Sequence, residues 1–209
     1  KGQVLILLAF KEFSQRHPDA ILVTSWQTPF SEMSEGFQGN TNAPIKLADD
    51  GAIDVKRWVG ENGIDPSKVV DIGHIPNQLM PMVLREMDCA IQPSRAEAAT
   101  NMVVKEEMAC GLPVVLTLNT GLKDIANTKN CMALEPHTIS VDADAPSTNG
   151  WGEARVDDMV AALESLYASQ QLRESISEEA SRTMKARTWA KHAAQLEDLI
   201  LNLLTPEAG

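Results

Sequence analysis

The 209-residue sequence is poor in positive charge: Lys plus Arg number 18 against 29 Asp plus Glu, a net charge of −11. An acidic surface repels phosphate backbones and anionic lipid, which argues against a nucleic-acid or membrane-surface partner. It leaves room for a local pocket that takes a small anion. Long apolar runs are also lacking. The longest, Val4 to Phe10, has seven residues, far below the ~18 that span a bilayer, so no transmembrane segment is expected. Neither a charged-then-apolar leader with a small-residue cleavage site nor an Asn-x-Ser/Thr acceptor is read in these residues. The three cysteines, Cys89, Cys110 and Cys131, lie 21 residues apart without a C-x-x-C pair. Neither a disulfide framework nor a zinc knuckle follows from them, and a reducing, cytoplasmic location is the expectation.

Common chemical signatures are missing as well. No G-x-x-x-x-G-K-[ST], G-x-S-x-G, H-E-x-x-H or EF-hand loop occurs. Gly150-Trp151-Gly152 lacks the third glycine of a dinucleotide fingerprint and follows a loop, so it reads as a turn before a helix. His17, His74, His137 and His192 are scattered with no partner at metal spacing, and read as surface or capping residues. No metal site is expected. His74 stands out because it ends a strand.

What is present is alternation. With 44% apolar and 22% charged residues, a sizeable core is available, and the length suits one α/β domain. Val4, Leu7, Leu8 and Phe13 sit at helical spacing, and His17-Pro18-Asp19 breaks the helix. Ala20 to Thr24, Val69 to Gly73, Asp88 to Pro93, Pro113 to Thr117 and Cys131 to Leu134 read as short buried strands. Between them, Asp50 is expected to cap a helix through Ile53, Trp58 and Val59, and Asn77 to open one through Leu79, Met82, Val83 and Met87. Thr100 is expected to cap a helix that runs to Cys110 and stops at Gly111. A short helix is expected near Leu122 to Ala126, and residues 28–50 read as a long loop. After a polar loop from Asp142 to Gly152, three amphipathic helices follow, marked by Met159 to Tyr167, Leu172 to Ala180, and Trp189 to Leu203. They are expected to pack on the sheet domain or on a neighbour. The fold class is α/β: a Rossmann-like doubly wound parallel sheet over 1–150 with a helical tail over 151–209.

The segment from Pro93 to Val115 carries the chemistry. It reads as strand, polar loop, helix, glycine stop and buried strand, and ligands of open parallel sheets sit where such a loop meets a helix N-terminus. Glu97, Ala98, Ala99, Thr100 and Asn101 occupy that corner. Backbone N–H groups at the helix start bind a phosphate without any lysine. Glu97 beside them suits hydroxyls of a group attached to that phosphate. Glu106, one to two turns into the helix, suits a second set such as a ribose diol. A phosphate flanked by two polyols describes a nucleotide sugar. The bland alternative is a capping Glu97 with Glu106 and Glu107 on a solvated face.

Glu106-Glu107-Met108-Ala109-Cys110-Gly111-Leu112-Pro113-Val114 resembles the E-A-M-A-C-G-x-P-V run of family 4 retaining glycosyltransferases of GT-B fold, with Glu107 in place of alanine. Eight residues separate Glu97 from Glu106, one more than is usual there; members with Thr-Asn in this loop share the longer form. Lys1-Gly2 resembles the Lys-Gly whose lysine contacts the donor diphosphate. Asp71-Ile72-Gly73-His74-Ile75 resembles the strand and loop that hold the base, and Thr188-Trp189 the Thr-Trp that opens the last helix.

The resemblance implies the donor half of an enzyme that moves a sugar, with retention and without metal or other cofactor, from a UDP-, GDP- or ADP-sugar to an acceptor glycan, lipid or small molecule in carbohydrate biosynthesis. Glu97 and Lys1 are the catalytic candidates. Thr100, Asn101, Glu106, His74, Ile75 and Leu79 are the donor-binding ones. The family's N-terminal acceptor domain, the strand before Lys-Gly and an arginine partner of the lysine are not in these residues, so two unpaired strand edges and an inactive fragment are expected. A non-catalytic nucleotide-sugar-binding or regulatory module is the second reading, and a flavodoxin-like regulator with Glu97 as a mere cap is the third.

Overall fold

The computed structural model describes residues 2–138 and 151–204. The apolar run near the start lies in helix α1 (Gln3–Arg16), and its lack of polar interruptions has a physical reason. Leu5, Ala9 and Phe13 face one core while Val4, Leu7 and Phe10 face another. Two stripes of a 3.6-residue helix are buried at once.

Strands β1 (Leu22–Thr24) and β2 (Val69–Asp71) pair in parallel. Strands β3 (Ala90–Gln92), β4 (Val114–Thr117) and β5 (Met132–Leu134) form a second parallel sheet in that order. Ile91 stands opposite Val115, and Leu116 opposite Ala133. Alternate side chains of this sheet point to opposite faces. Val115 and Leu134 meet α1 and helix α5 (Val156–Ala168). Val114 and Leu116 share a core with Val104 and Met108 of helix α4 (Met102–Ala109) and Ala180 of helix α6 (Gln170–Lys185).

Helices thus cover both faces of the three-stranded sheet, and the molecule has the α/β class expected of it. The parallel sheet comes in two hydrogen-bonded pieces, because no strand among the described residues joins them. α1 lies across both. Over β1 and β2 the same helix packs with helix α2 (Val55–Glu61), while Val70 on β2 remains 44% exposed.

Several local expectations are corrected. The cap of α2 is Asp54, whose carboxylate accepts from Arg57 N at 3.0 Å. Asp50 instead accepts from Ala52 N, and Ile53 is held outside the helix by a bridge to Leu47. Helix α3 covers only Met80–Leu84, with Pro81 in its first turn; Asn77 contributes its carbonyl to the turn before it. The short helix after β4 is a 3-10 helix over Thr120–Asp124. An unexpected antiparallel pair joins β6 (His137–Thr138) to β7 (Gly152–Glu153), so Gly152 belongs to a strand. Most of the expected polar loop 142–152, with Gly150, lies outside the described residues.

His17 is a capping residue, the C-cap of α1, its N–H donating to the Phe13 carbonyl. Its ring packs between Phe13 and Tyr167, and Nε2 is 2.7 Å from Glu164 Oε2. In the tail, α5 packs on α1 and α6 on α4. Helix α7 (Trp189–Leu204) buries no side chain, and Trp189, Leu196 and Leu203 stand exposed.

Candidate functional site

The corner beyond β3 and β4 is built by three backbone segments that approach closely. Loop 93–101 leaves β3, loop 118–121 leaves β4, and Gly2 precedes α1. A Cβ on Gly2 would lie 2.5 Å from the Pro93 carbonyl oxygen, and one on Gly121 only 2.1 Å from that of Ala99. Both positions require glycine because another backbone occupies the space. The start of α1 is thereby set against Pro93, and the turn after β4 against Ala99 and Thr100.

Side chains lock these segments together. Asn119, 3% exposed, donates from Nδ2 to the carbonyls of Ser94 (2.8 Å), Arg95 (2.8 Å) and Gly152 (3.2 Å). The Glu97 N–H donates to Thr120 Oγ1 at 2.8 Å, and that hydroxyl donates to Asn119 Oδ1 at 3.3 Å. Arg95 pairs with Glu153 of β7. Asn101 Nδ2 donates to Glu97 Oε1 at 2.8 Å, while Asn101 Oδ1 accepts from Val104 N at 3.3 Å. The cap of α4 is therefore Asn101 and not Thr100: its backbone, at φ +49, turns the amide back over the helix end.

Among the described residues, Asn101 and Thr120 are the two non-glycine residues with positive φ, +49° and +35°. Both stand in this corner. For a β-branched threonine that conformation costs on the order of 1–3 kcal/mol and persists only where its surroundings over-determine it.

The resulting corner has a definite chemistry. The N–H groups of Thr100, Asn101, Met102 and Val103 make no hydrogen bond to a described residue. They form the positive end of α4, suited to an anion. Glu97 stands beside them, half-buried, with one carboxylate oxygen oriented by Asn101. The structure thus brings Glu97, Thr100 and Asn101 into one corner.

No hydrogen bond among the described residues joins Glu106 to this corner. Glu106 lines a groove of about 260 Å³ with Met102, Lys105, Met184, Arg187 and Trp189, and its carboxylate makes no hydrogen bond to a described residue. His74, Ile75 and Leu79 follow β2 in an exposed turn, and no hydrogen bond among the described residues joins them to loop 93–101. Lys1 lies outside the described residues.

Glu107 departs from a solvated face: it is 4% exposed. Gln92 Nε2 donates to its Oε1 at 2.7 Å, and Oε2 has no hydrogen-bond partner among the described residues. Burial pushes this carboxyl up to about 8, against the opposing hydrogen bond from Gln92 and with the help of the neighbouring Glu106 charge. Burial likewise pushes the Cys89 and Cys131 thiols up to about 11, which makes them inert packing groups. Among the described residues, no cluster of three His, Cys, Asp or Glu side chains is placed to hold a metal, and no helix is long and apolar enough to cross a membrane.

Sequence reasoning missed Asn119 and Thr120. The available signal was Asn119-Thr120-Gly121 directly after a buried strand, a turn at the ligand-facing edge of a parallel sheet.

Residues 47–145 match the family model described as Glycosyl transferases group 1. No curated protein matches the chain by sequence. Among solved structures, the chain is similar to the C-terminal domain of a glycosyl transferase group 1 family protein, LpcC, from Francisella tularensis: 17% identity, TM-score 0.58, covering 90% of this chain and 79% of that one. It is also similar to Anabaena HepE in complex with UDP, with 16% identity, TM-score 0.67, and 97% and 45% of the two chains covered. Sucrose-phosphate synthase from Thermosynechococcus elongatus shows 16% identity, TM-score 0.63, and coverage of 95% and 42%. At such identities the shared property is the fold, which is the Rossmann-like α/β fold of GT-B glycosyltransferase C-terminal domains. The chain spans less than half the length of the latter two proteins.

Proposed function

We propose that this chain is the donor-nucleotide-sugar half of a retaining glycosyltransferase. The carrying observation is the corner where Glu97, oriented by Asn101, stands beside the N–H groups that open α4 and that meet no acceptor among the described residues. The group 1 match over 47–145 includes that corner and supports a transferase. The UDP bound by Anabaena HepE supports a nucleoside diphosphate as the ligand class.

In this reading the N–H groups of Thr100 and Asn101 stabilise the leaving diphosphate electrostatically, without metal or other cofactor. Lys1 adds a cation to the same phosphates. Glu97 orients the transferred sugar, Glu106 receives the ribose hydroxyls, and segment 74–79, with His74, Ile75 and Leu79, lines the base. The sugar passes with retention to an acceptor glycan, lipid or small molecule held by an N-terminal domain, in cytoplasmic carbohydrate biosynthesis. These residues alone then bind the donor without turning it over. A non-catalytic nucleotide-sugar-binding module would share the same corner, and transfer by the full-length protein separates the two.

A thermal-shift panel of UDP, GDP, ADP and their sugars tests the reading, because a specific ligand raises the melting temperature by mass action. One base is expected to stand out, and a flat panel overturns the donor assignment. A charge-assisted hydrogen bond contributes about 1.5–3 kcal/mol, so Glu106→Ala is expected to weaken that nucleotide roughly tenfold to a hundredfold in calorimetry. Unchanged affinity removes Glu106 from the site.

A further inference from the structure

We propose that Thr120 is a positioning residue for Glu97, held in an unfavourable backbone conformation so that its hydroxyl fixes where that carboxylate stands. The inference rests on the donor reading above and extends it to a residue in a different loop. Its basis is a continuous chain of hydrogen bonds. The Glu97 N–H donates to Thr120 Oγ1 (2.8 Å), Thr120 donates to Asn119 Oδ1 (3.3 Å), and Asn119 Nδ2 grips the carbonyls of Ser94 and Arg95 (both 2.8 Å). The relay therefore holds the loop before Glu97 by its carbonyls and Glu97 itself by its N–H. Asn101 fixes the carboxylate end at 2.8 Å. A main chain gripped on one side and a side chain gripped on the other leave Glu97 little freedom to reorganise when a ligand arrives.

The conformation of Thr120 is the second observation. A φ of +35° disfavours a β-branched side chain, and glycine would adopt it more readily. Thr120 is also solvent-exposed, so its side chain is not retained there for core packing. What the threonine supplies over glycine is the hydroxyl that accepts from Glu97. Gly121, pressed against the Ala99 carbonyl, sets the depth at which that hydroxyl meets the loop. The relay acts on the group that orients the sugar and not on the N–H groups that hold the diphosphate, so its loss is felt only by a ligand that carries the sugar.

The test compares wild type, Thr120→Gly, Thr120→Val and Thr120→Ser. Amide exchange at Glu97 is followed by NMR, and calorimetry pairs UDP with UDP-glucose, GDP with GDP-mannose, and ADP with ADP-glucose. Thr120→Gly is expected to hold or raise the melting temperature, to speed exchange at Glu97 at least tenfold, and to weaken the sugar nucleotide about tenfold while leaving the parent diphosphate unchanged. Thr120→Val is expected to show the same exchange and binding losses, and Thr120→Ser to restore wild-type values. Unchanged Glu97 exchange in the glycine and valine variants overturns the proposal, as does an equal loss for diphosphate and sugar nucleotide. If wild type binds none of the six ligands, the donor reading fails, and the exchange data alone decide whether Thr120 positions Glu97.

Discussion

Two corners lie at the carboxyl ends of strands in this molecule, and they are finished differently. Each is braced by one side-chain amide. Gln27 spans the β2 corner, donating to Ile53 O (2.9 Å) and Asp71 Oδ2 (2.8 Å) while its Oε1 accepts from Ile53 N (2.9 Å). Asn119 spans the β3 corner by gripping three carbonyls. Beyond Gln27, however, the chain runs out through Gly73 into an exposed turn at 74–79. Beyond Asn119, three backbone segments meet at distances only glycine tolerates. One corner is prebuilt and the other is left adjustable. In the donor reading, the prebuilt corner faces the diphosphate and sugar, where charge develops and preorganisation matters most. The adjustable one faces the base.

Paired substitutions break this contrast most sharply. Gly121→Ala puts a Cβ into the Ala99 carbonyl and is expected to cost about 3 kcal/mol or more of stability. Gly73→Ala meets no atom within 4 Å and carries only the positive-φ cost of roughly 1–2 kcal/mol. Denaturant titrations giving equal losses would show the two corners to be equally packed.

A smaller gap is expected between the two amides. Asn119→Ala strands buried carbonyls and costs roughly 2–3 kcal/mol, whereas Gln27→Ala, at a half-buried site that water reaches, costs about 1 kcal/mol. A reversed order in the same titrations would place the stronger brace at β2.

The subtlest distinction is pH. Glu107 and Gln92 lie beneath the β3 corner, and the fold holds the Glu107 proton more tightly than the unfolded chain does, about 8 against an ordinary 4.5. The contribution is full below about pH 4.5 and is lost as pH rises through about 8. Between about pH 7 and 8 wild type is expected to lose about 1 kcal/mol that Glu107→Gln does not. Parallel stability profiles for the two proteins would remove Glu107 as the source.

Much of this architecture is legible in the sequence because burial leaves a period. The stripe in α5, the run of β4 and the glycine after α4 each follow from spacing or from a conformation that only one residue type favours. What escaped reading is set by tertiary contacts. Asp50 and Asp54 are equivalent caps until the Leu47–Ile53 bridge holds Ile53 out of the helix. Thr100 precedes Asn101 as an equally good cap until the positive φ of Asn101 decides between them. Glu107 looks solvated beside Glu106, and only its contact with Gln92 shows it buried. The candidate site divides in the same way. Glu97 to Asn101 is a contiguous motif, but Asn119 and Thr120 belong to it only because β4 lies beside β3.

Helix α1 carries a consequence for how the chain reaches this state. Its two apolar stripes belong to cores that share no other helix: one closes with α2, the other only when Met159 and Leu163 of α5 arrive. During synthesis the seven-residue run from Val4 to Phe10 emerges before both α2 and α5 and is fully covered only when α5 has followed. Such a segment invites non-native association while it waits. Once docked, the same helix couples the two sheets, so that neither opens without exposing the flank of the other.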